Sequence, residues 1–284
     1  MLVFPNCKIN LGLIITGKRE DGYHDIDTIF YPVQLNDALE IIHSTGAGQS
    51  DETVFTHSGA HMDGEEKDNL CLKTYHLLKK DFPHLPAVQI HLHKAIPMGA
   101  GLGGGSADAA FTLIALNKKY ALNLSNGQLL SYALQLGSDC PFFIINKPCL
   151  ATGRGEILQS IHVGLSGYQL LLVNPGIHVN TRWAFSQLNI VPGELTTKAA
   201  PYKSLQTIIS QPIMYWKEGL INDFEKPVFE KYPEIKALKE AFYEKGALFA
   251  LMSGSGSSVY GIFDKTTDVS LNFPENYLVH TILL

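Results

Sequence analysis

Residues 97–110 read Pro97-Met-Gly-Ala-Gly-Leu-Gly-Gly-Gly-Ser-Ala-Asp-Ala-Ala110, with five glycines in fourteen positions. Glycine leaves its backbone N–H unshielded and adopts left-handed dihedrals without steric cost. A strand-like run, Val88 to Ile96, leads in, and a helical run, Ser106 to Tyr120, leads out. Free amides at a helix N-terminus, reinforced by the helix dipole, make a seat for phosphate. A tight turn needs one or two glycines; five followed by a helix-start serine point past a purely structural role.

Working outward, Cys7 to Thr16 alternates as a strand. Cys7, Ile9, Leu11, Leu13 and Ile15 share an apolar face suited to a core, and Lys8 and Asn10 open the other. Arg19 to Gly22 turns the chain. Strands are expected at Thr28–Val33, Ala38–Ser44, Thr53–His57, Phe142–Ile145, Gln169–Asn174 and Tyr277–Leu283. Helices are expected at Asn69–Phe82, Ser125–Leu136 (Ser125 as N-cap), Thr181–Leu188 and across Lys217–Lys245, broken at Pro227 and Pro233. Leu248 to Phe263 reads as a hairpin turning at Ser253–Ser258. The irregular interleaving indicates an α+β fold, with a domain boundary near Gly164 and hence domains 1–164 and 165–284.

The bulk numbers exclude several classes. With 284 residues, 45% hydrophobic and 17% charged, the chain has room for about two globular domains. A net charge of −5 gives no general attraction to nucleic acid or anionic membrane, so neither is an expected partner, and an anion site must be built locally. Cys7, Cys71, Cys140 and Cys149 show no disulfide or zinc spacing, and no signal peptide or membrane-length apolar run is evident; a cytoplasmic enzyme with reduced thiols is expected.

Gly99-x-Gly101-x-x-Gly104 matches the dinucleotide fingerprint in form. It lies far into the chain, however, and no strand ending in an acidic residue follows about 20 residues on. The loop ends Gly-Gly-Ser-Ala, not the Gly-Lys-Ser/Thr of a Walker A motif, and no protein-kinase signatures follow. The remaining pattern, Pro-x-x-x-Gly-Leu-Gly-Gly-Gly-Ser, resembles the second motif of the GHMP kinases. Cys7-Lys-Ile-Asn-Leu11 resembles their first motif and Leu251-Met-Ser-Gly-Ser-Gly-Ser-Ser-Val-Tyr-Gly261 their third. Lys18-Arg-Glu-Asp-Gly-Tyr-His24 narrows the likeness to the branch acting on 4-diphosphocytidyl-2-C-methyl-D-erythritol in non-mevalonate isoprenoid (terpenoid) precursor biosynthesis. Leu136-Gly-Ser-Asp-Cys-Pro-Phe-Phe143 resembles that branch's catalytic-aspartate segment.

The resemblance implies a two-lobed fold, with a ribosomal-protein-like first domain, a ferredoxin-like second domain and the active site in the cleft between them. It implies an ATP-dependent transferase acting on a cytidine diphosphate sugar alcohol. Pro97, Gly99, Gly101, Leu102, Gly103, Gly104, Gly105, Ser106 and Ala107 would bind ATP. The metal ligands stay open, with Ser106 as an Mg2+ contact. Asp139 would receive the hydroxyl proton with Lys8 as its partner; a lysine beside an aspartate lowers its basicity and keeps it ionised. Asn10 sits on the Lys8 face. Tyr23 and Phe185 would sandwich the cytosine, with His24 reading its edge and Thr181 nearby; such stacking contributes about 1–3 kcal/mol per base.

Other features take plainer readings. Asp108 reads as a first-turn helix stabiliser. His91 and His93 read as an edge or surface pair, His57 and His61 as loop residues, and Tyr215, Trp216, Phe229, Tyr232, Phe242 and Tyr243 as helix core. Three rivals stay open: another small-molecule GHMP kinase (homoserine or mevalonate-type), a dinucleotide-binding oxidoreductase, and a catalytically silent RNA-binding or interaction protein.

Overall fold

The computed structural model describes residues 1–44, 52–62, 65–188, 190 and 204–284. The chain folds as two compact units. One comprises Met1–Cys7, Gln34–Met98 and Gly103–Asn146; the other comprises Lys8–Val33, Gly99–Leu102 and Lys147–Leu284. The units interleave along the chain, so they do not follow a single cut near Gly164. The cause is strand pairing: two early strands join a sheet with strands that begin after residue 148.

The first unit carries a four-stranded sheet of β1 (Leu2–Val3), β4 (Ala38–His43), β6 (Val88–Lys94) and β5 (Val54–Gly59), in that order. Helices α1 (Leu70–Asp81), α2 (Gly104–Lys119), α3 (Asn126–Leu136) and α4 (Cys140–Ile145) belong to the same unit. Its core joins Leu39, Ile41, Ile90 and Leu92 of the sheet to Leu78, Leu113, Leu116 and Ala133 of the helices. Ser125 caps α3 with a full capping box through Gln128, as its sequence suggests.

The second unit holds two sheets. One runs β2 (Asn6–Lys18), β3 (His24–Asn36), β7 (Cys149–Thr152), β8 (Ile157–Ser160), with the terminal residues of β2 and β3 reaching into the first unit's segments. The other, β10 (Phe249–Met252), β11 (Val259–Asp264), β9 (Tyr168–Asn174), β12 (Leu278–Leu283), is antiparallel throughout. Helices α5 (Thr181–Ser186), α6 (Leu205–Ile209), α7 (Glu225–Lys231) and α8 (Pro233–Glu244) complete it. Phe242, Phe263, Val173, Met252 and Phe224 meet in its core.

Several local expectations are corrected. Phe142–Ile145 is helical, as part of α4. Its apolar run is too short for periodicity to separate strand from helix, and Pro141 favours the first helical turn. Pro227 does not break a helix; it lies in the first turn of α7, where its missing N–H has no intrahelical partner to lose. Helix α2 starts at Gly104, two residues before Ser106, because Gly103 (φ 72°) turns the chain into it. The polar face of β2 is buried where it begins, with Lys8 4% exposed and Asn10 1%, and half-buried at Ile14 and Thr16. His57 lies on β5, which matches the expected Thr53–His57 strand and not the loop reading of that histidine. His91 and His93 are on the exposed face of β6, an interior strand flanked by β4 and β5. Of the helix-core aromatics, Trp216 and Phe242 are buried, Phe229, Tyr232 and Tyr243 half-buried, and Tyr215 exposed.

Candidate active site

The glycine stretch alternates handedness. Gly99, Gly101 and Gly103 have φ of 63°, 76° and 72°, while Gly104 and Gly105 begin α2. Alternating right- and left-handed residues are the backbone pattern from which anion-binding nests are built. The N–H of Ala107 closes the first helical bond on Gly103 O (2.9 Å). The amides of Gly104, Gly105 and Ser106 therefore precede the helical ladder. Ala107 is fully buried and its N–H is engaged by Gly103 O. Leu102 is buried too, and its carbonyl accepts the Lys8 amide at 2.9 Å.

In the second unit, Gly99–Leu102 is built into a polar cluster. Lys8 Nζ donates to Asn10 Oδ1 at 2.6 Å and to Gly101 O at 3.3 Å, and lies 5.0 Å from the Phe30 ring centre. Asn10 Nδ2 donates to Thr28 Oγ1 (2.8 Å), whose hydroxyl donates to Gly12 O (2.5 Å). Ser253 Oγ donates to Gly101 O at 2.8 Å and accepts the Asn10 amide at 3.3 Å. Tyr260 OH donates to Asn10 O at 2.8 Å. The Ser253–Ser258 loop is buried throughout, so it is no loose surface turn. The backbones approach closely: a Cβ on Gly101 would lie 1.9 Å from Ser253 O, and one on Gly254 3.0 Å from Gly101 Cα. Only glycine fits at Gly101, and at Gly254 (φ 57°) a side chain would be strained and tight.

The same unit holds the residues expected at the cytidine end. His24 and Phe185 stack with ring centres 4.4 Å apart and planes 16° apart, and Phe185 meets Phe224 edge-on at 4.8 Å. A stack this tight has no room for a base between those two rings. Tyr23 is exposed, and the Arg154 guanidinium lies 4.7 Å from its ring centre. Asp21 Oδ1 accepts the Tyr23 amide and so holds the turn. Thr181, at the start of α5, shares a 2.8 Å hydrogen bond with Ser255 Oγ. Burial first, and Lys18 second, pull the His24 pKa below its ordinary value.

In the first unit, Asp139 is half-buried at the N-cap position of α4, and its side chain does not cap that helix. Next to it, burial pushes the Cys140 thiol up to about 12, with a hydrogen bond from Ser106 opposing. Pro97 precedes the glycines as the chain leaves β6. Beside the start of α2 lies a pocket lined by Phe55, Met62, Leu70, Met98, Gly105 and Asp108, among others. Asp108 is not a solvent-facing first-turn charge. It is buried, and Lys94 Nζ donates to its Oδ2 at 2.8 Å and also to Asp37 Oδ2. Burial pushes the Asp108 carboxyl up to about 7 despite the neighbouring ammonium.

Thr28, Ser253, Tyr260, Arg154 and the Asp37–Lys94 pair carry no role in the sequence reading. One signal for Lys94 is present there: it follows Val88, Ile90 and Leu92 at period two, a charge at a core position. Ser253 and Tyr260 lie within the third motif but without a role of their own, and the rest have no such signal because their partners are remote in sequence.

The family model described as GHMP kinases N terminal domain matches residues 69–147, and that described as GHMP kinases C terminal matches residues 211–271. The 4-diphosphocytidyl-2-C-methyl-D-erythritol kinase of Bacteroides fragilis is 51% identical over 263 residues, covering 93% of this chain and 92% of that protein. That of Cytophaga hutchinsonii is 51% identical over 265 residues, covering 93% of each. A crystal structure of 4-(cytidine 5'-diphospho)-2C-methyl-D-erythritol kinase is 29% identical, covers 92% of this chain and 90% of that one, and superposes with a TM-score of 0.71. The Methanococcus jannaschii mevalonate kinase covers all of this chain, and 98% of its own, at 13% identity and a TM-score of 0.69, a likeness of fold alone. Given half-identical relatives along nearly its whole length, this chain is a small-molecule kinase of the GHMP superfamily and belongs to the family of 4-diphosphocytidyl-2-C-methyl-D-erythritol kinases.

Proposed function

We propose that the chain transfers the γ-phosphoryl group of ATP to the 2-hydroxyl of 4-diphosphocytidyl-2-C-methyl-D-erythritol, in the cytoplasm. The observation that carries this reading is the Lys8 ammonium, which donates both to Asn10 Oδ1 and to the Gly101 carbonyl and is thereby fixed beside the phosphate loop. The residues fit a nucleotide: amides ahead of the helical ladder, and glycines where a side chain has no room. Gly99, Gly101 and Gly103–Ser106 would hold the triphosphate, and the pocket beside Gly105, where apolar Phe55, Met62, Leu70 and Met98 meet polar Glu65, Glu66, Asp68 and Asn69, would take the adenine. ATP supplies the phosphoryl group and ADP as leaving group. In functional terms, residues 1–164 are read as the ATP-binding domain and 165–284 as its C-terminal partner.

The substrate hydroxyl is the nucleophile. Its oxygen bonds to the γ-phosphorus as the bond to the β-bridging oxygen breaks, and its proton passes to the Asp139 carboxylate. The transition state is loose, so alignment matters more than deep proton abstraction. Lys8 offsets the charge on the moving phosphoryl group. Among the described residues no cluster of three or more His, Cys, Asp or Glu could hold a metal. The Ser106 hydroxyl, at the start of α2, would be the protein contact for an Mg2+ ion, which would offset charge on the phosphates. The face formed by Tyr23, His24 and Phe185, with Thr181, takes the cytidine; since His24 already covers one side of Phe185, the base stacks on a face that pair leaves open.

The test is turnover with ATP against a panel of alcohols that includes homoserine and mevalonate. The cytidylyl substrate should be consumed at least a hundredfold faster than the others. Equal or better use of homoserine or mevalonate would overturn the substrate assignment.

A further inference from the structure

We propose that the buried triad Lys94–Asp37–Asp108 is the positioning element of the phosphate loop, holding the chain where it enters the glycines and where it leaves them. The proposal rests on the reading of that loop as the ATP site.

The triad touches both ends of the loop within the first unit. On the entry side, Asp37 Oδ1 accepts the backbone N–H of Ala95 (2.6 Å) and of Ile96 (2.8 Å), the last two residues before Pro97. Asp37 Oδ2 accepts from Lys94 Nζ. On the exit side, Lys94 Nζ donates to Asp108 Oδ2, one turn into α2. Gly104, the first helical residue, is seated on the same group. A Cβ there would lie 3.2 Å from Lys94 Nζ and 2.9 Å from Ile96 Cγ2, so the helix start and the end of β6 are in contact. One ammonium thus ties together three segments: the turn at Asp37, the end of β6 and the first turn of α2.

Stability alone is a poor reason for this arrangement. Lys94 and Asp37 have side chains of 0% exposure and Asp108 of 5%. Apolar side chains of similar volume commonly serve a core as well as a buried ion group does. The triad is also imperfectly satisfied, since Asp108 Oδ1 is buried without a hydrogen-bond partner among the described residues. What the ions add is direction. Asp37 aims two backbone amides, and the lysine brings a positive charge beside Gly104 at the helix start, where it adds to the helix dipole.

The test separates positioning from simple support. Asp108→Leu removes the Lys94 acceptor, and Asp108→Asn keeps one. Asp108→Leu should raise KM for ATP at least tenfold and leave KM for the alcohol within twofold, and Asp108→Asn should recover most of the loss. Hydrogen exchange of the ligand-free variant should quicken at least tenfold at Gly103–Ser106 while the amides of α3 stay protected. A merely structural residue would lower the active fraction, hence apparent kcat, with both KM values unchanged. KM for ATP within twofold of wild type, both KM values rising together, or a uniform rise in exchange would each overturn the proposal. Should Asp108→Leu not fold, the double variant Lys94→Met/Asp108→Leu, which leaves Asp37 on its two amides, carries the same readings. Failure of wild-type enzyme to saturate with ATP would instead reject the nucleotide reading, and the exchange experiment would still judge the triad's hold on the loop.

Discussion

Three glycines of the phosphate loop should respond to alanine in a fixed order, for reasons the backbone supplies. At Gly101, φ is 76° and the added Cβ would sit 1.9 Å from the Ser253 carbonyl oxygen, where contacts below 3.0 Å essentially never occur. The left-handed conformation costs an L-residue roughly 1–2 kcal/mol. The clash demands that two buried backbone segments part by about 1 Å, comparable to overpacking a core at about 1–3 kcal/mol. The sum is about 2–5 kcal/mol, and it falls on the Ser253–Gly101 and Lys8–Gly101 hydrogen bonds. At Gly99, φ is 63° and the Cβ meets the His178 ring at 2.7 Å. That side chain can swing aside, so only the dihedral cost of about 1–2 kcal/mol remains. At Gly105 the backbone is helical and the nearest atom is Leu70 Cδ1 at 3.8 Å. Alanine there should be neutral to stabilising by up to about 1 kcal/mol, because glycine is a poor helix former. Yet its methyl enters the pocket read as the nucleotide's, so KM for ATP should rise at least fivefold in a protein no less stable than wild type. Urea denaturation gives the stability order and initial rates give KM. Gly101→Ala within about 0.5 kcal/mol of wild type, or Gly105→Ala with an unchanged KM for ATP, would refute the reasoning.

Asp139→Ala, at matched folding by circular dichroism, should lower kcat by at least about a hundredfold, the scale of a lost general base, while isothermal titration shows both substrates still bound; undiminished turnover removes Asp139 from the chemistry. Phe185→Ala should raise KM for the cytidylyl substrate by about 5- to 150-fold, corresponding to about 1–3 kcal/mol of base stacking, with KM for ATP steady; a shift in the ATP constant instead would place the base elsewhere. The His24 pKa lies below its ordinary value of 6.5, so the unfolded chain holds more protons in the interval between the two values. Stability should therefore fall as pH drops from about 6.5 through the depressed value and level off below it. His24→Asn should flatten that part of the urea-midpoint profile between pH 7.5 and 5, and an identical slope in the variant would show that His24 does not contribute.

How much was legible in advance follows from where each signal is stored. The phosphate loop was readable because backbone chemistry is written locally: glycines, a strand before them and a helix after them. Ser125 announced its helix for the same reason, since a capping box closes within four residues. Phe142–Ile145 reads as a strand because the six residues of α4 span less than two helical turns, too few for 3.6 and 2.0 periods to diverge. The burial of Lys8 and Asn10 was hidden because their polar face finds its partners at Thr28, Gly101 and Ser253, at separations of up to 243 residues. His24 and Phe185 were each selected, but not their mutual stack, since sequence names two aromatic rings without saying which faces are already covered.

Lys94 shows where legibility could have been extended. A lysine following Val88, Ile90 and Leu92 at period two breaks the rule that the inward face of a strand is apolar. Such a break is tolerable only if the charge is compensated, which predicts buried carboxylates before any coordinate is seen. Asp37 and Asp108 are those carboxylates, and each was present in the sequence as an unremarkable acid near a turn or a helix start. The glycines mark where the backbone must be bare, whereas the misplaced lysine marks what holds that bare backbone still. A loop rich in glycine has the most conformational freedom to lose on ordering. A phosphate site built from it therefore needs rigid anchors at both ends, and charged groups that bind backbone amides and helix start together meet that need in a way an apolar contact, which has no direction, does not.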